Sequence, residues 1–170
     1  MSTATSAVTM KGNPVALLGK ETQVGQQAPD ATLVANDLSE FKLSSLKGKK
    51  HILSVVPSLD TGICDLQTKR FNLEAAKLGK DVPVLTISMD LPFAQKRWCG
   101  ATNSTNVMTL SDHRQASFGE SYGVLIKGLR LLTRAIFVVD ATGVIRYKQI
   151  VPEITTEPKY DEVLEALRRL

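Results

Sequence analysis

The chain has 170 residues, 43% hydrophobic and 5% aromatic, and its 21 Lys and Arg against 17 Asp and Glu leave a formal net charge of +4. A chain of this size buries a core without needing disulfides, and its composition excludes collagen-like, low-complexity and disordered classes. The charge surplus is small and scattered, and the basic clusters at Lys47, Lys49 and Lys50 and at Arg168 and Arg169 lack interleaved aromatics, so nucleic-acid binding is not expected. No run approaches the roughly 20 apolar residues of a membrane span. The first residues carry neither a basic leader nor an apolar segment and read as a small, polar, frayed terminus. We therefore expect a cytoplasmic protein with no membrane association. In that reducing compartment the two cysteines point to catalysis, redox exchange or metal binding rather than to a structural bridge.

Residues 8–20 hold two short apolar runs around Gly12, Asn13 and Pro14, which suggests a β-hairpin. Residues 24–30 read as a loop, 31–35 as a short strand, and 41–50 as containing a helical turn that Ser44 or Ser45 caps. Residues 51–56, HILSVV, form a compact apolar strand stopped by Pro57. Beyond the segment PSLDTGIC, the residues Cys64, Thr68, Phe71, Ala75 and Leu78 recur at helical spacing, and Gly79 is the expected stop. Residues 82–88 form a second buried strand whose start is weakened by Pro83. Residues 92–99 read as a short helix with Pro92 in its first turn, 107–110 as a strand and 115–122 as a weak helical turn. Residues 133–139 form a third buried strand, and a turn at residues 140–143 leads into a strand over 144–150. Tyr160, Val163, Leu164 and Leu167 share one face of a terminal helix. Alternating strands and helices imply an α/β, thioredoxin-like fold: a mixed central sheet flanked by helices, right-handed crossovers and an antiparallel final strand pair.

Cys64 follows strand, proline and glycine, and opens a helix. Free backbone N–H groups and the positive end of the helix dipole stabilise a thiolate there. Thr61, three residues earlier, brings a hydroxyl toward the same point. A thiolate attacking a peroxide oxygen needs donors on both oxygens; the Cys64 N–H, the Thr61 hydroxyl and one arginine supply them. Arg134, at the start of an apolar strand, is that arginine if its guanidinium turns inward, and an ordinary strand-end side chain if it reaches water. Cys99 lies in or beside its own short helix, so a direct bond to Cys64 requires local unwinding. Cys64, Cys99, His51 and His113 lack the spacing of a zinc knuckle, so no metal is expected. No glycine-rich phosphate loop occurs, and no cofactor is expected.

With these residues in view, the sequence resembles the thiol peroxidase branch of the peroxiredoxin family, the atypical two-cysteine kind found in bacteria. PSLDTGIC matches that family's Pro-x-x-x-Thr-x-x-Cys signature at Pro57, Thr61 and Cys64, and DLPFAQKRWC supports it. The resemblance implies a single thioredoxin-like peroxiredoxin domain over residues 1–170 with an added hairpin at 8–20. It implies that Cys64 is the peroxidatic cysteine and Cys99 the resolving one. Pro57 shields the pocket, Thr61 and Arg134 orient peroxide and activate the thiolate, and Ser58 is a secondary candidate. It further implies hydrogen peroxide and organic hydroperoxides as substrates, an intrachain Cys64–Cys99 disulfide, thioredoxin as reductant and a homodimer. A thioredoxin-like disulfide carrier is disfavoured because Thr61 stands where a CxxC motif has its first cysteine. A binding module that merely kept the fold needs neither a reactive Cys64 nor an inward Arg134.

Overall fold

The computed structural model describes residues 3–170, with side chains from residue 8. The chain opens with an antiparallel hairpin, β1 (Thr3–Met10) and β2 (Asn13–Leu18). Lys11 and Gly12 both have positive φ, 50° and 81°, the conformation a two-residue hairpin turn demands. The turn thus lies one residue before the Gly12–Pro14 segment that the sequence suggested, and β1 begins well before residue 8, where a frayed terminus was expected. A two-residue strand, β8 (Leu125–Ile126), pairs with β2 and completes a three-stranded sheet.

The central sheet has seven strands. Its middle is β5 (His51–Val55), β6 (Val84–Ser88) and β7 (Met108–Ser111), mutually parallel. On one side β9 (Ala135–Val139) runs antiparallel to β5, and β10 (Ile145–Ile150) antiparallel to β9. On the other side β3 (Thr32–Val34) pairs antiparallel with β7, and β4 (Glu40–Lys42) with β3. All residues of β5, β6 and β9 are buried, as strands covered on both faces must be. The fold is therefore α/β, with a mixed central sheet and an N-terminal hairpin.

Among the described residues four helices cover the sheet: α1 (Gly62–Leu78), α2 (Pro92–Thr102), α3 (Ser117–Tyr122) and α4 (Tyr160–Arg168). On one face Phe71 and Ala75 of α1 and Val163 and Leu167 of α4 pack with Ile52, Val84, Ile136 and Val138. On the other, Phe118 and Tyr122 of α3 pack with Leu53, Leu85, Ile87 and Phe137. Gly79 ends α1 with φ 85°, as expected. The helical turn is a single 3-10 turn over Leu43–Leu46, and neither Ser44 nor Ser45 caps it. Asp30 does so instead, accepting the Ser44 N–H at 2.9 Å. Pro83 stays outside β6, yet its carbonyl still accepts the Ile52 N–H at 3.1 Å.

The hairpin is tied to the chain after β10. Glu153 accepts from Thr9 Oγ1 at 2.9 Å, from the Gly12 N–H at 2.8 Å and from Thr155 Oγ1 at 2.6 Å. The Thr155 hydroxyl and backbone bonds, with that from Gly12, hold the Glu153 carboxyl down at about 2. Backbone bonds from Thr9 N to the Pro152 carbonyl and from Ile154 N to the Thr9 carbonyl complete the strap.

One buried carboxyl gives the fold a measurable response to pH. Asp112, 2% exposed after β7, accepts the N–H groups of Phe118 and Gly119 at 3.0 and 2.8 Å and so starts α3. Burial pushes its carboxyl up to about 6 from the ordinary 3.8; the two N–H bonds and Arg130 oppose this, and Glu120 adds to it. The fold thus binds a proton below about pH 6 that the unfolded chain binds only near 3.8. This contribution grows as pH falls through that window and vanishes above it. Asp112→Asn has no such proton. In urea titrations its stability relative to the parent should therefore fall as pH drops from 7 to 4.5, by at most about 1.4 kcal/mol per unit. A pH-independent difference would contradict the account.

Candidate active site

Strand β5 ends because Val56 makes the last ladder bond, its N–H to the Ile87 carbonyl at 3.0 Å, and Pro57 has no N–H with which to continue. The chain then turns. Ser58 Oγ donates to Asp90 Oδ1 at 2.7 Å, the Leu59 N–H donates to Asp90 Oδ2 at 2.8 Å, and Ser88 Oγ shares that carboxylate at 2.7 Å. Asp90, just beyond β6, thereby fixes the loop after β5. Thr61 is the N-cap of α1 in extended conformation, and the first intrahelical bond runs from Asp65 N to its carbonyl at 2.9 Å. Gly62, Ile63 and Cys64 are consequently the residues of the first turn whose N–H groups have no intrahelical acceptor.

Cys64 is fully buried, in an apolar cluster with Val56, Leu59 and Trp98. Arg134 turns inward. It is 2% exposed, immediately before β9, and its Nη2 donates to Cys64 Sγ at 3.4 Å. Its Nη1 donates to Gln67 Oε1 at 2.8 Å and its Nε to the Ile154 carbonyl at 2.8 Å. Gln67 is held in turn by donating to Ser54 Oγ of β5 at 2.8 Å. None of the ion pairs among the described residues involves Arg134. A buried guanidinium needs anionic compensation. The one partner of its three that can become an anion is the Cys64 sulfur.

The other expected residues lie nearby in different arrangements. The Thr61 hydroxyl donates to the Ser58 carbonyl at 2.9 Å and closes the turn ahead of Cys64. Ser58 faces Asp90 rather than the thiol. Both cysteines are free. Cys99 packs at the margin of the Cys64 cluster, with its sulfur 3.5 Å from Thr109 Oγ1, which donates to Asn36 Oδ1 at 3.0 Å. It lines a cleft of about 740 Å³ together with Asn36, Phe41 and Thr109. His51 lies at the far end of β5 from Cys64, beside a separate cleft of about 380 Å³, so the two are not joint ligands of one ion. The sequence reading missed Gln67, Ser54 and Asp90. A glutamine on the buried face of α1, one turn after Cys64, is a signal that was available.

The Redoxin family matches residues 23–164. The chain belongs to the Redoxin family. Within it, this redoxin is closely related to bacterial thiol peroxidases: that of Bacillus subtilis is 57% identical over 163 residues, 96% of this chain and 97% of its own. That of Oceanobacillus iheyensis is 56% identical over 164 residues, 96% and 99% of the two chains. A peroxiredoxin-like protein from Aquifex aeolicus has a TM-score of 0.91 at 45% identity, covering 99% of both chains.

The Arg134 network yields a stability test. Arg134→Met keeps an aliphatic stem of similar reach but strands two buried acceptors, Gln67 Oε1 and the Ile154 carbonyl, each worth roughly 1–3 kcal/mol when unpaired. The urea midpoint should fall by an amount equal to about 3 kcal/mol. A loss under about 0.5 kcal/mol would mean that the fork does not hold these elements together.

Proposed function

We propose that this redoxin reduces hydrogen peroxide and organic hydroperoxides, with Cys64 as the nucleophile and Cys99 as the resolving thiol. Relatedness to bacterial thiol peroxidases supports peroxidase activity in general. The observation that carries the specific reading is the buried Arg134 guanidinium, with no carboxylate partner among the described residues, donating to a sulfur in the first turn of α1. Helix N–H groups and the guanidinium together supply donors directed at that sulfur.

In this reading the thiolate attacks one peroxide oxygen, the O–O bond breaks, and the departing oxygen takes up a proton as water or alcohol. Cys64 is left as a sulfenic acid. Arg134 and the first-turn N–H groups stabilise the developing charge. Pro57 keeps solvent from the sulfur, and Thr61 and Ser58 shape the loop that positions it. The Cys99 sulfur then displaces the Cys64 hydroxyl as water, and thioredoxin reduces the intrachain disulfide. Residues 1–170 act as one thioredoxin-like domain, within a homodimer, in the cytoplasm. The cycle calls on no cofactor, metal, nucleic acid or membrane, and no helix among the described residues is long and apolar enough to cross a membrane.

The test is single-turnover mass spectrometry after one equivalent of hydroperoxide. Wild type should lose the mass of two hydrogen atoms, its two electrons passing to the hydroperoxide, as a monomer-sized Cys64–Cys99 disulfide. Cys64→Ser should consume essentially no peroxide, because a serine hydroxyl is a far weaker nucleophile at neutral pH. Cys99→Ser should complete the first turnover, stop at the sulfenic acid and fail to cycle with thioredoxin. Wild-type consumption by Cys64→Ser, or a Cys64–Cys64 dimer in the oxidised parent, overturns the assignment.

A further inference from the structure

The first turn of α1 and the helix α2 are joined by a partly buried side-chain bond, from Trp98 Nε1 to Asp65 Oδ1 at 2.9 Å. Asp65 directly follows Cys64, and Trp98 directly precedes Cys99. Trp98 fills the Cys64 cluster, whereas the Cys99 sulfur sits beside Thr109 and borders the neighbouring cleft. Consecutive helical residues project about 100° apart. Helix α2 therefore presents its indole to Cys64, with Cys99 at the margin of the same cluster.

A disulfide requires Cα atoms about 4.4–6.8 Å apart and sulfurs in bonding contact. The Cys99 sulfur, now beside Thr109, must move in from the margin of the cluster that Trp98 fills. Resting on the peroxidase reading above, we propose that the Asp65–Trp98 bond is a latch. It keeps the cysteines apart while Cys64 meets peroxide. Its opening, with withdrawal of Trp98 from the cluster, is the event that admits Cys99. The chemistry of closure is unchanged: the S–S bond forms, the Cys64 S–O bond breaks, and the leaving hydroxide takes the Cys99 thiol proton as water. The latch sets the timing of that step. A slow latch prolongs the sulfenic acid and exposes Cys64 to a second peroxide, which converts it to sulfinic acid. Asp65 and Trp98 are thus positioning residues that act through α2. The parallel ion pair of Arg97 with Asp60, 3.6 Å apart with both side chains exposed, adds little.

A bond to a carboxylate is stronger than a neutral one. Asp65 also pairs with Lys69 at 2.8 Å, and its side chain is 28% exposed, which weakens the bond to Trp98. Trp98→Phe keeps an aromatic ring without the donor, and Asp65→Ala removes the acceptor. Each should form the Cys64–Cys99 disulfide about fivefold faster in quenched-flow alkylation with mass analysis. Each should also carry proportionally less sulfinic acid under excess hydroperoxide. The double variant should match the singles, because one bond is lost in all three. General loosening would instead add. Trp98 is the only tryptophan, so wild-type fluorescence reports its position directly, even if the variants fold poorly. Emission should shift to the red when the disulfide forms and return on reduction. Unchanged emission, or equal closure rates and sulfinate yields in all four proteins, overturns the latch while leaving the peroxidase reading intact. A wild-type protein that forms no Cys64–Cys99 disulfide overturns both.

Discussion

A single buried positive charge organises this molecule. Arg134, 2% exposed, spends its three bonds on a backbone carbonyl, a glutamine and a cysteine sulfur. Cys64 and Gln67 lie one turn apart on α1, and Ile154 follows β10. Gln67 is anchored through Ser54 to β5. Ile154 is fixed by its N–H bond to the Thr9 carbonyl, and the neighbouring Glu153 binds the hairpin turn. The N-terminal hairpin, which looks like an appendage in the sequence, is therefore two bonds away from the guanidinium that faces Cys64.

The choice of a neutral partner at residue 67 matters. A carboxylate there would satisfy Arg134 internally and leave the sulfur with little claim on its charge. Glutamine accepts a hydrogen bond without neutralising the guanidinium, so the electrostatic demand passes to Cys64. Position within α1 works in the same direction, because the first-turn N–H groups lack intrahelical acceptors. Asp65 adds a negative charge next to the thiol, yet its carboxylate is drawn away toward Lys69 and Trp98.

The core of the fold was legible because it rests on strong local signals. Residues 51–56, 82–88 and 133–139 are apolar runs of strand length, and they became β5, β6 and β9 with shortened ends. Gly79 marked the end of α1 because a positive φ is easily reached only by glycine. The misses share a cause. β8 is two residues long and carries no periodicity, and the Asp30 cap comes from 14 residues upstream of the turn it serves. At the site, Cys64 and Arg134 were identified and do meet. The contacts of Gln67, Ser54 and Asp90 span 13 to 67 residues of sequence, which no local pattern encodes. Thr61 was expected to bring its hydroxyl near Cys64, and that hydroxyl donates three residues back to the Ser58 carbonyl, a bond that leaves its lone pairs open to another donor.

The placement of the two cysteines also limits what any rearrangement around them costs. Cys64 lies in the first turn of α1 and Cys99 in the last turn of α2, where helices have fewest internal bonds to break. The cluster that encloses Cys64 has four buried members, Val56, Leu59, Cys64 and Trp98, and is distinct from the two large clusters on the faces of the sheet. Opening it exposes a modest apolar area, while Phe71 and Ala75, further along α1, stay packed against β5 and β9. The energetic consequence is separability. Movement at the ends of α1 and α2 draws on this small cluster, the bonds of Trp98 and Cys99 and the Arg134 bond to Cys64, while the Ile154 carbonyl lies outside both helices and still holds the guanidinium.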